Sequence, residues 1–184
     1  MMRRSAFMAI FSLFFNAITA PAQVHRRDPL TAAETNELRE VSIEPNKKLP
    51  LYLKYVRARL AAIEQLRSDS HFAEGRGQKV HDLLADFKVI MDEMDRNLDS
   101  FADQKLDFRK ALKEIIQADS EFQLKLRTLK EATKESAAAA QAKDYDFALA
   151  EAADAVDGDL ENARDLLAQQ EKAAAEAKAR GKKK

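Results

Sequence analysis

The chain has 184 residues, with 31 Lys and Arg balanced by 31 Asp and Glu, three His, no Cys and no Trp. With 34% charged and 46% hydrophobic residues it is too apolar for wholesale disorder, and its length suits one compact domain. The lack of cysteine excludes disulfide frameworks, thiolate metal sites, cysteine nucleophiles and an N-terminal lipid-modified Cys.

Residues 1–22 read as a secretory signal peptide. Arg3 and Arg4 form a positive start, Ala6 to Ile18 is almost wholly apolar, and Ala20-Pro21-Ala22 supplies the small residues that a signal peptidase inspects. The apolar run is shorter than the ~20 residues a membrane-spanning helix needs. Cleavage after Ala22 leaves 162 residues with 29 basic and 31 acidic groups, formally −2. No later apolar run is long enough to span a bilayer, so the expected product is an exported, periplasmic or secreted protein.

The remaining chain reads as all-α. All four prolines lie within the first 50 residues, and residues 78–157 contain neither Pro nor Gly. The expected organisation is a flexible N-terminus over 23–29, a helical domain over 30–170, and a basic, disordered tail over 171–184.

A first helix is predicted over 32–43. Thr31 and Glu34 are placed as a capping box and Leu30 as a hydrophobic staple. The Leu30-Thr31-x-x-Glu34 stretch also resembles one copy of the repeated Leu-Thr-x-x-Gln signature of Spy-type periplasmic chaperones, with Glu in place of Gln. The capping box accounts for the same residues, and no residue role is carried over. A second helix is predicted over about 50–68, with Leu49, Leu53, Val56, Leu60 and Ile63 on one stripe.

A loop follows, bounded by Ser68-Asp69-Ser70 and Gly75-Arg76-Gly77. Gly75, Arg76, Gly77 and Lys79 precede a helix start, where backbone N–H groups and two cations could hold an anion. These four residues are the candidate ligand loop. The spacing is not that of a P-loop, and a plain linker is the favoured explanation of the glycines.

Val80, Leu84, Phe87, Met91, Met94, Leu98 and Phe101 then follow strict 4-3 spacing, which Phe108, Leu112, Ile115, Phe122, Leu126 and Leu129 continue. Of fifteen successive slots from 80 to 129, only Lys105 and Asp119 are polar. The stripe is a seam for packing within the chain or against a partner. One helix of about 55 residues in a coiled-coil dimer would satisfy it. A turn near Asp103-Gln104-Lys105 would instead give an elongated up-and-down bundle of three to four long helices with coiled-coil-like packing, and Lys105 in a seam slot favours the turn. Its last helix is expected over 141–170, with a stripe of Tyr145, Leu149, Val156, Leu160 and Leu167 interrupted by Gly158.

Reactive chemistry is sparse. His25, His71 and His81 share no helical face, and no E-x-x-H pair exists for a di-metal site. Asp95 to Asp99 imitates the start of a calcium loop, but Ser100 and Leu106 replace its Gly and Glu, leaving a solvated acidic face. No nucleophile stands beside a base, so neither catalysis nor a cofactor is expected. Residues 82–121 carry eleven acidic and six basic groups, whereas 171–184 carry six basic and two acidic ones. That contrast suits a solubilising surface, or a tail that touches an anionic envelope surface; export and the mature charge argue against nucleic acid. Arg59 and Asp119 are two charges expected to face inward and meet.

The functional expectation is a non-enzymatic exported helical protein working through protein contacts, as an adaptor, scaffold or holdase. The alternative is an anion-binding protein that uses the Gly75–Lys79 loop.

Overall fold

The computed structural model describes residues 28–69, 71, 74–134 and 142–181, and over them the chain is all-helical, without strands. The leader over 1–22, His25, the Ala137–Ala140 run and Lys182–Lys184 lie outside the described residues. Among the described residues five helices pack against one another: α1 Ala32–Glu40, α2 Pro45–Ser68, α3 Arg76–Asp103, α4 Arg109–Ala132 and α5 Asp146–Gly181.

α1 begins as the sequence predicts. Thr31 Oγ1 accepts from the Glu34 N–H at 3.2 Å, and a Glu34 carboxylate oxygen accepts from the Thr31 N–H at 2.8 Å. It ends at Glu40, before the expected boundary, because residues 41–43 form a turn. Pro45 is therefore a start signal: it is the first residue of α2, where a missing N–H costs nothing. Pro50 is accommodated inside that helix, so α2 begins earlier than the expected position near 50.

α3 and α4 are separated by a turn at Gln104 and Lys105, which ends the one-helix alternative. The Lys105 N–H donates to the Ala102 carbonyl at 2.8 Å and the Leu106 N–H to the Phe101 carbonyl at 3.1 Å, with Lys105 at φ +57°. This is a Schellman motif with lysine in the left-handed position that usually holds glycine. The helix thus stops without Gly or Pro, and Lys105 leaves the seam for solvent.

Contacts between side chains fix the directions of the long helices. Lys48 reaches Asn97 and Tyr52 reaches Glu93, so α2 and α3 are antiparallel. Gln123 meets Asp157 and the Phe108 N–H meets Gln170, so α4 and α5 are antiparallel as well. Asn46 bonds Asp107 and Ala111, and Lys125 bonds Glu64, which makes α2 and α4 parallel neighbours. α5 likewise runs beside α3. Although joined by the shortest link between the long helices, α3 and α4 share no close helix–helix seam and meet through large side chains, such as Phe87 edge-on to Phe122 with ring centroids 5.8 Å apart.

All seven residues of the Val80–Phe101 seam are buried, and so is its continuation from Phe108 to Leu129. The stripe is occupied by the chain's own core. At the other end of the chain, α5 runs to Gly181, so residues 171–181 are helical where the sequence suggested a disordered tail. Ala, Glu, Lys and Gln continue the helix, and Lys113 pairs with Glu171 at 3.1 Å. Residues 28 and 29 are also held, unlike the flexible 23–29 segment expected. Asp28 accepts from the Leu30 N–H at 3.0 Å, and the Pro29 carbonyl accepts from Arg59 at 2.6 Å.

Candidate functional site

The feature least explained by packing alone lies between α4 and α5. Asp119 is 0% exposed and Asp159 3% exposed, in a core built mainly of aliphatic and aromatic side chains, to which α3 adds Asp86 at its margin. On α4, Asp119 occupies the seam slot between Ile115 and Phe122. From Tyr145, just before α5, the buried residues Leu149, Ala152, Val156, Asp159, Ala163 and Leu166 follow the same 4-3 spacing, so Asp159 is also a seam residue. The antiparallel register of the two helices sets the carboxyls against each other.

As carboxylates, all four oxygens are acceptors, and none finds a hydrogen-bond donor. A bond between the two forms only when one carries a proton. Burial pushes Asp119 up to about 7, and burial together with the charge of Asp119 pushes Asp159 up to about 9. Asp95 on α3 adds a further negative charge near Asp159, and Arg164 on α5 partly offsets Asp119. Asp95 is itself engaged, accepting from Asn162 Nδ2 at 2.6 Å. Among the described residues no three acidic, imidazole or thiol side chains converge to hold a metal ion. The arrangement is a proton-binding carboxyl pair in an apolar interior.

Arg59 does not meet Asp119, contrary to the sequence expectation. It donates to both Glu34 carboxylate oxygens at 2.7 Å and also to the Pro29 carbonyl. It lies on the side of α2 that α1 and the residues before it cover. The Arg59 hydrogen bonds hold the Glu34 carboxyl down at about 2.

The candidate ligand loop is assembled at the start of α3. Gly75 adopts φ +65°. Arg76 donates to the Asp69 carbonyl at 2.8 Å, while its Nε is buried without a partner. Gly77 is buried, and a Cβ there would come within 2.9 Å of Asp144 Cβ and Cγ. The Asp144 carboxylate therefore stands against Gly77 and places a negative charge beside this helix start. Lys79 lies one turn further on, exposed and engaged within the chain.

The histidines are local features. His71 Nδ1 lies 2.8 Å from Asp69, and His81 lies beside Asp82 at 3.2 Å. Asp95 and Asp99 both sit in α3 and face Asn162, so the calcium-loop imitation is helix.

Two open clefts flank α4. The one toward α5 has a volume of about 720 Å³ and is lined by Leu126, Arg127, Lys130, Leu149, Ala153 and Asp157, among others. The one toward α2 is about 440 Å³ and includes Leu60, Ile63, Leu124 and Leu129. Leu124 is 63% exposed on the ridge of α4, and Phe147 at the start of α5 is 75% exposed. No described helix is long and apolar enough to cross a membrane. No family model, curated protein or solved structure matches the chain.

Proposed function

We propose that this chain is an exported, non-enzymatic protein of the periplasm or extracellular space that works by binding other proteins, as an adaptor, scaffold or holdase. Its helices form an elongated up-and-down bundle of four long members with coiled-coil-like seams and α1 at the side. The leader and the near-neutral mature charge support export and a protein partner in preference to nucleic acid.

The observation that carries the reading is the α4 ridge, where exposed Leu124 stands beside open clefts on both flanks. Apolar side chains rimmed by charge are the usual form of a protein-contact surface. With its core seam internally filled, the chain meets partners, or a second copy in a homodimer, through this outer face. The basic C-terminal end is a second contact, toward anionic envelope surfaces. The Gly75–Lys79 loop is the weaker anion-binding alternative, since Asp144 stands against it.

The test is a photo-reactive residue in place of Leu124 in the mature chain, followed by cross-linking in a host envelope extract and mass spectrometry. Adducts that recur at Leu124 and are missing when the probe replaces exposed Asp154 on α5 support a contact ridge. One dominant protein means an adaptor, and many partly unfolded ones mean a holdase. Equal, background-level labelling at both positions overturns the reading.

A further inference from the structure

The Asp119–Asp159 pair has no part in the contact ridge, yet it lies on the two helices that form the larger cleft. α3 presents Asp95, already bound by Asn162, and α5 presents Arg164. From α2 the charged groups that reach α4 are Arg57, tied to Glu121 at 3.2 Å, and Glu64, tied to Lys125 at 2.6 Å. No cation therefore bonds either buried carboxylate, and no donor satisfies their oxygens. Two like charges enclosed in an apolar core without a donor strongly oppose one another and burial itself. A proton on one of them removes that charge and supplies the missing donor.

We propose that Asp119 and Asp159 form a proton-operated latch: a proton shared between them joins α4 to α5, and its loss drives these helices apart. The balance is simple. A carboxyl O–H on one residue donates to a carboxylate oxygen on the other; on deprotonation the proton leaves to water and two adjacent anions remain. Opening the α4–α5 seam exposes Leu126, Leu149 and Ala153, which line the cleft between these helices. In that way the proton also sets how much apolar surface the cleft offers. Only this last step rests on reading the cleft as a contact surface; the latch itself does not.

The test uses the full chain with 13C-labelled aspartate carboxyls, titrated by NMR, together with amide hydrogen exchange at pH 6 and pH 9 corrected for intrinsic rates. Two coupled carboxyl resonances titrating well above the ordinary aspartate range are expected, with α4 and α5 losing protection at least ten-fold more than α2 on going to pH 9. In Asp119→Asn the amide supplies a permanent donor to Asp159, and the selective loss should disappear. Ordinary titration of both carboxyls overturns the proposal even if the variant fails to fold. So does a selective loss that persists in a folded Asp119→Asn protein.

Discussion

Arg59 and Glu34 are joined by two parallel hydrogen bonds of 2.7 Å, which tie α1 to α2 while the same carboxylate closes the capping box with Thr31. Glu34 thus does two jobs, and the pairing with Arg59 needs its charge. Glu34→Gln should cost about 1–3 kcal/mol, as expected for a charge-assisted, partly buried hydrogen bond. Chemical denaturation at pH 7 would measure it; a change within about 0.5 kcal/mol, the usual scatter for surface sites, would leave α1 docking to its apolar contacts alone.

The same carboxyl fixes the acid limb of the stability curve. Its folded value, about 2, lies below the ordinary 4.5, so its contribution is complete above that ordinary value and is lost as the pH falls through about 2. Melting curves across this range should show the loss in the native chain and a shallower one in Glu34→Gln.

Lys105 holds the left-handed position of the turn between α3 and α4 at φ +57°. Lys105→Gly removes the Cβ conflict there but frees the unfolded chain, leaving a net gain of up to about 1 kcal/mol. A rise in the urea midpoint at constant slope would register it. A fall would mean that the lysine stem itself supports the turn.

Gly158 stands in the middle of α5, and a Cβ added there meets nothing within 4 Å. Gly158→Ala should therefore stabilise the helix by ~0.5–1 kcal/mol. Calorimetry is the check, and unchanged or lower stability would show that the glycine serves a bend that alanine resists.

Leu124→Asp separates contact from folding. The side chain is 63% exposed, so stability should move by no more than about 0.5 kcal/mol while cross-linking from a photo-reactive residue placed at exposed Thr128, one turn along the same ridge, is lost. Retained capture by the variant would place the contact elsewhere.

The sequence makes the long helices legible because leucine, methionine and phenylalanine mark the Val80–Leu129 seam so regularly that Lys105 stands out as its break. It also exposes Asp119 as a polar seam residue. It hides the partner of Asp119, since Asp159 lies in a seam of small alanines, Ala152 and Ala163, and next to Leu160, whose size draws the stripe one residue away. Heptad counting from Tyr145 through Val156 would have found it. Arg59 was misassigned because helical spacing places a residue on a face without saying which neighbour covers that face; α1 covers it here. The helical Glu171–Gly181 stretch was missed because a high density of charge reads as a tail even where alanine and glutamate sustain a helix.

The most direct test of the account is the melting temperature of the full chain between pH 4 and pH 9, native against Asp119→Asn. Both buried carboxyls are raised above the ordinary 3.8, so the folded chain holds protons that the unfolded chain releases, and stability must fall as the pH rises through this window. The slope is at most ~1.4 kcal/mol per pH unit for each excess proton. The account predicts a native chain most stable at mildly acidic pH that declines steadily toward pH 9, and a distinctly flatter variant. A native profile that is level from pH 5 to pH 9 would contradict it.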